Sequence, residues 1–260
     1  MAEAQTGKTQ GRWRTFHDKF VVEERYMSAT ARRNLYRTAV ALMITGAVLF
    51  VVILTGVLQH DGLSAADEPT RSWLLTMRGE PATIIMIILA IVFGPIGLPI
   101  IVLVVTVAWG LLAKHAWRPM LLAGAMLTGV ILAQVIGRIV ERHRPPLELM
   151  LFGADTTFSF PSGHVLGACD FLLVTTFLVF SRRKNPKAAV VAFIVAGIGM
   201  FFAAISRLYL GYHWLTDALG AFSISLVILG GVIALDTWRT ARIRGEQITG
   251  TLSTADAGQD

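Results

Sequence analysis

The sequence predicts an all-α, polytopic membrane protein: a bundle of six transmembrane helices with both termini in the cytoplasm. Three observations point there. Of 260 residues, 54% are hydrophobic and only 15% charged, too little polar surface for a soluble domain. Of six apolar runs, five are about as long as a bilayer core requires, ~20 residues each. The basic residues cluster in alternate connections between those runs.

The runs are Thr38–Leu58, Ala82–Leu112, Met120–Val140, His164–Phe180, Ala188–Ile205 and Asp217–Leu235. Five suit a single crossing. The second is too long for one straight helix and too short for two ordinary ones. It contains Gly94, Pro95, Gly97 and Pro99, which can kink a long tilted helix or break it into a re-entrant pair. One kinked span is the better reading, because of charge. With the N-terminus inside and six crossings, 17 of the 23 lysines and arginines fall on the cytoplasmic side. Splitting the second run would carry Arg182, Arg183, Lys184 and Lys187 outside.

Residues 1–37 form a basic cytoplasmic leader, 38–238 the membrane domain, and 239–260 a cytoplasmic tail. The first apolar run starts too late and is too long for a cleaved signal, and reads as a retained anchor. Trp13, Phe16 and Phe20 recur at helical spacing in the leader, as in a helix lying on the inner leaflet; a partly ordered basic tail fits as well. The tail beyond about Gly245 is small and polar, which predicts disorder. The formal charge of +6 reports topology here and does not point to nucleic acid. A single cysteine, Cys169, excludes an intrachain disulfide and a cysteine-based metal cluster.

Arg71 and Arg78, in the first outer loop, suit interfacial anchors, while the other four outer arginines, with two histidines, fall into three compact groups on that side. The first runs from Arg138 to Pro146 at the end of the third helix. Arg138 and Arg142 share a helix face, Arg144 follows, and Pro145 and Pro146 stop the helix. Guanidinium groups match phosphate oxygens in bidentate geometry. Interfacial salt bridges with Glu141 would use the same residues. The second group, Pro161–His164, opens the fourth helix. Free N–H groups at a helix start form an anion site, Gly163 allows close approach, and His164 could protonate a leaving oxygen. A plain helix cap also fits these residues. The third group runs from Ser206 to Asp217. His213 and Asp217, four apart, share a face if the helix has begun by then. The carboxylate can then fix the imidazole tautomer and leave the other nitrogen nucleophilic. Alone, the pair could be structural. Together the groups supply an anion cradle, a held nucleophile and an acid, the inventory for phosphoryl transfer through a covalent intermediate. No Walker-type loop or carboxylate cluster suggests magnesium, so arginines would neutralise charge.

Over roughly residues 38–235 the chain resembles the type 2 phosphatidic acid phosphatase superfamily. That family's signature is Lys-x6-Arg-Pro, Pro-Ser-Gly-His and Ser-Arg-x5-His-x3-Asp. The second part is complete at Pro161–His164, and the third at Ser206, Arg207, His213 and Asp217. The resemblance implies that His213 attacks phosphorus, Asp217 orients it, and His164 serves the leaving group and then water. It implies that Arg144, Arg207, Ser162 and the Gly163 backbone hold the phosphoryl oxygens, and that neither metal nor cofactor is needed. The first part departs: Gly137 stands where lysine is expected. Arg138, one position on, is a candidate substitute, and Arg142 another. Asp170, an ionisable residue within a span, could touch a head group or orient His164, or line a wet cavity.

The expected activity is a membrane phosphatase acting on a lipid phosphate or diphosphate at the outer face of the cell membrane. The loop 146–160 is too short to cap a soluble substrate, so the partner is a bilayer lipid. Undecaprenyl diphosphate is the first expectation, with phosphatidylglycerophosphate or phosphatidate as alternatives. A transferase of the same fold would keep His213 and pass phosphoryl to another acceptor.

Overall fold

The computed structural model describes residues 18–183, 185–248 and 252–255. Trp13 and Phe16 lie outside them, and Phe20 sits in a turn rather than on a helix. The first strand, β1, is Val22–Tyr26. Helix α1, Ala29–Gln59, follows at once. It starts at Ala29 rather than Thr38 because Ser28 caps it, its side chain accepting from the Ala31 N–H at 3.1 Å. The turns carrying Arg32, Arg33 and Arg37 are helical without being apolar.

A single 3₁₀ turn at Gly62–Ala66 and a short helix α2, Asp67–Thr76, make up the connection that follows α1. The long second run is two helices, α3 (Glu80–Val92) and α4 (Gly97–Leu112), bent by 48° at their junction. Pro95 lacks the N–H needed to continue the ladder, which accounts for the break. Then come α5 (Trp117–Val140), α6 (Gly163–Phe180), α7 (Pro186–Tyr209) and α8 (Leu215–Thr240). Five helices are long and apolar enough to cross a membrane, and the bent pair makes six if it counts as one span.

The bundle is built around α6 and α8. The most apolar stretch of α8 is 61% buried, against 11% for α7, which presents Val191, Ile194, Val195 and Ile198 outward. Such outward apolar rows are what a bilayer accepts. Helices α1 and α8 approach unusually closely. A Cβ on Gly46 of α1 would sit 2.5 Å from the Ser223 carbonyl, and one on Gly230 of α8 would sit 2.6 Å from that of Ala39. Only hydrogen fits at either point, as at other small-residue membrane interfaces.

One feature departs from the hydropathy reading. Strands β2 (Ala241–Arg242) and β3 (Ser253–Ala255) flank β1 in a parallel sheet ordered β2-β1-β3. Part of the tail expected to be disordered is therefore paired with the leader. Glu24 of β1 is buried, and its carboxylate meets Arg239 at 3.0 Å and Arg242 at 2.7 Å. Lys19 donates to the Gly110, Leu111 and Ala113 carbonyls at 2.9, 2.6 and 3.2 Å, closing the C-terminus of α4. The leader and tail are thereby fastened to the bundle rather than hanging from it.

Candidate active site

The α7–α8 turn sets the site. Gly211 adopts φ +84°, the left-handed region a glycine enters freely, so the chain reverses within a few residues. Asp217 falls in the first turn of α8 and reaches back to the Trp214 N–H at 2.8 Å, half of a capping box. His213 is thereby held against it, its Nδ1 3.3 Å from Asp217 Oδ2 and 2.9 Å from the Ser159 carbonyl. The Asp217 carboxylate and the Ser159 carbonyl only accept, and the Ser159 hydroxyl, 3.5 Å from Nδ1, directs its proton to Asp217, so Nδ1 carries the proton and Nε2 presents its lone pair. Asp217 Oδ2 also accepts from the Ser159 hydroxyl, and the carboxylate is fully buried.

Burial pushes the His213 imidazole down to about 4, against the opposing pull of Asp217, and the Arg144 charge adds to the fall. At neutral pH the ring is therefore uncharged, as a nucleophile must be. Arg144 Nη1 lies 3.1 Å from Nε2 and donates to the Tyr212 carbonyl at 2.8 Å. Its other nitrogens engage the Thr157 carbonyl and hydroxyl at 2.9 and 2.8 Å and Asp155 at 3.0 Å. Burial would raise the Asp155 carboxyl, but hydrogen bonds from Thr157 and the charge of Arg144 outweigh it and hold it below its usual range. Arg144 is therefore a tethered cation poised over the nucleophilic nitrogen.

Arg207 is the second cation, from the last turn of α7. It is 4% exposed and stacks on the Tyr212 ring at 4.1 Å. Its guanidinium has no hydrogen-bonded or carboxylate partner among the described residues. A buried guanidinium without an anion is costly unless a ligand supplies one.

Ser162 caps α6: its hydroxyl accepts from the Val165 N–H at 3.5 Å and its own N–H bonds the Asp217 carbonyl at 3.2 Å. The hydroxyl thus caps α6 as an acceptor and keeps its own proton to donate. Gly163 is exposed, and its N–H, at the first helical position, has no intrahelical partner and points to an anion site. His164 lies one residue on, where a Cβ at Gly94 would sit 3.4 Å from its Nε2, so the break between α3 and α4 passes over it. The charges that act on it are those of Arg207, His213, Arg144 and Asp155.

A family model of the PAP2 superfamily matches residues 118–241. Phosphatidylglycerophosphatase B of Bacillus subtilis (strain 168) is 30% identical over 182 residues, covering 69% of this chain and 88% of that protein. The chain belongs to the PAP2 superfamily. Phosphatidylglycerophosphatase B of Escherichia coli (strain K12) is 34% identical over 105 residues, 40% of this chain and 38% of that protein. The crystal structure of a transmembrane PAP2 type phosphatidylglycerolphosphate phosphatase from Bacillus subtilis superposes with a TM-score of 0.65 at 26% identity. That match covers 75% of this chain and 96% of the other. As a PAP2 protein of apolar helices, the chain is a membrane lipid phosphatase.

The PAP2 site gathers most but not all of the residues singled out from sequence. His213, Asp217, Arg144 and the buried Ser162 converge through direct contacts, with Arg207 joined through Tyr212. Arg142 is spent on carboxylates, at 2.6 Å from Asp217 and 2.6 Å from Asp67. Arg138 is exposed on the last turn of α5 and makes no hydrogen bond or ion pair among the described residues. Gly137 is the position that faces the site loop: a Cβ there would lie 3.5 Å from the Phe160 carbonyl. Arg138 is turned about 100° from it around the helix. Asp170 is buried against Gly129 of α5 with Ser225 of α8 facing it. Ser159, Thr157, Asp155, Tyr212 and Asp67 escaped the sequence reading. Only the Asp-x-Thr pattern at Asp155 and Thr157, a local turn cap, could have drawn notice. Among the described residues no three His, Cys, Asp or Glu side chains gather as a metal would require.

Proposed function

We propose that this PAP2 protein hydrolyses phosphatidylglycerophosphate through a phosphohistidine at His213, at the extracytoplasmic face of the cell membrane. The observation that carries the mechanism is the fixed tautomer of His213, whose Nε2 lone pair faces Arg144. The incoming phosphoryl group enters between them. Arg144, Arg207 and the Gly163 N–H take its oxygens, and Nε2 forms a bond to phosphorus as the P–O ester bond breaks. Protonated His164 gives its proton to the departing alkoxide. Neutral His164 then takes a proton from water, the hydroxide attacks phosphorus, and the N–P bond breaks to release phosphate. Asp217 balances the charge that grows on the imidazole.

Phosphatidylglycerophosphate comes ahead of undecaprenyl diphosphate because relatives matched over both long and short stretches are named for it. The short loop from 146 to 160 leaves no lid for a soluble substrate, which favours a lipid entering from the bilayer. The outward facing rests on the basic residues crowding the opposite end of the bundle. The test is the purified protein with phosphatidylglycerophosphate, phosphatidate and undecaprenyl diphosphate, following free phosphate. We expect release to be fastest from the first and abolished in His213→Ala. Equal release by wild type and His213→Ala would refute the mechanism, and phosphate arriving on a second lipid would make the protein a transferase.

A further inference from the structure

Asp67 opens α2 in the connection that follows α1, 150 residues from the catalytic Asp217 in sequence. It is 4% exposed and fully engaged. Its Oδ1 accepts from the Thr216 N–H at 2.8 Å, an otherwise orphaned donor in the first turn of α8. Its Oδ2 accepts from the Thr216 hydroxyl at 2.7 Å and from Arg142 at 2.6 Å. Arg142 turns its other arm to Asp217 Oδ1 at 2.6 Å and to the Thr216 hydroxyl at 2.8 Å. A chain of contacts thus runs Asp67–Arg142–Asp217–His213.

We infer that Asp67 is a positioning residue for catalysis: through Arg142 it holds Asp217, and thereby His213, in its working orientation and electrostatic setting. This rests on the proposed nucleophilic role of His213. Without Asp67, Arg142 would leave its single positive charge uncompensated against Asp217. That drains the carboxylate's support for the imidazolium-like charge that develops as Nε2 bonds phosphorus. The same geometry would look idle to substrate, because Asp67 faces Thr216 and Arg142 and not the cradle of Arg144, Arg207 and Gly163.

The charge argument has a sign. The charged groups that act on His213 are Asp217 of α8, Arg144 after α5 and Arg207 of α7. Asp155 of the outer loop and His164 of α6 complete the set. Asp67 adds one negative charge behind Arg142. Removing it disfavours protonated His213, so the acid limb of kcat moves to lower pH. Removing the Arg142 charge favours the protonated ring and moves the limb to higher pH. A clamp that merely stiffened the fold would move neither.

The test uses the full-length protein in detergent with phosphatidylglycerophosphate, measuring kcat and KM across pH. The substrate's own ionisation is common to every variant. We expect Asp67→Asn to lower kcat roughly tenfold by loosening the nucleophile's orientation. We expect KM to stay within about twofold of wild type. The acid limb should fall by about half a pH unit in Asp67→Asn and rise by about as much in Arg142→Gln. Asp67→Glu, which keeps the charge, should return the limb to its wild-type position. Limbs that stay in place, or that move the same way in both variants, overturn the proposal, as does a raised KM at unchanged kcat. Should Asp67→Asn fail to fold, Arg142→Gln and Asp67→Glu still decide it, since the first must shift the limb upward and the second must not shift it. A wild type that releases phosphate from no lipid would instead defeat the proposed function, leaving the two failures distinguishable.

Discussion

At the scale of single residues, the site places its charges so that one imidazole stays neutral amid arginines. Burial and the Arg144 charge depress His213 to about 4. A group depressed in this way keeps its lone pair from neutral pH down to that value and loses it below. Phosphate release is therefore expected to persist through mildly acidic pH and to collapse as the pH approaches about 4, in a rate profile taken where the protein remains monodisperse. Arg144 yields a second prediction. It makes a fork of contacts to Thr157, Asp155 and Tyr212 while facing Nε2, and lysine would keep the charge but not the fork. Arg144→Lys should lose about a hundredfold in kcat/KM, and steady-state kinetics would show it. The meeting of His213 with Asp217 was legible because the two stand four apart at the start of a helix. Ser159 and Asp67 were not. Their partners lie 58 and 149 residues away, and nothing local marks a serine or aspartate for such a meeting.

At the scale of elements, hydropathy located every span yet misplaced their ends. Helix α1 begins at Ala29 because a cap starts a helix and the bilayer does not. The kink expected in the second run is a break of 48° that brings Gly94 beside His164. The tight α1–α8 contact offers a clean test. Gly46→Val or Gly230→Leu would drive side-chain atoms into the facing backbone. Each should destabilise the protein by about 1–3 kcal/mol, seen as earlier thermal unfolding in detergent. Neither glycine touches the site, so activity per folded molecule should hold. The sheet was invisible to the same reading, because β1 is short and charged and its partners come from a tail whose composition alone suggests no order.

At the scale of the whole molecule, charge and chemistry sit at opposite ends of the bundle. Trp117 and Arg118 bind Asp236 at 3.0 and 2.9 Å near the end that carries the leader, the tail and most basic residues. Arg144, Arg207 and His213 gather at the other. The proposed orientation expects a cysteine at Thr156 to react with an impermeant reagent added outside intact cells. A cysteine at Lys187 should react only after the membrane is opened. The reverse pattern would invert the site. The missing lysine is also a matter of the whole bundle: position 137 faces the site loop from α5, and with glycine there the cradle rests on two arginines contributed by other segments.

The parallel sheet has a consequence for how the protein is made. Strand β1 leaves the ribosome before α1, whereas β2 and β3 follow only after α8. Glu24 must therefore wait, its carboxylate unpaired with Arg239 and Arg242, through the insertion of the whole bundle. The α1–α8 seam waits equally long. Closure of the first segment onto the last cannot precede synthesis of the last, and a chain interrupted before residue 241 would lack the strands that clasp β1.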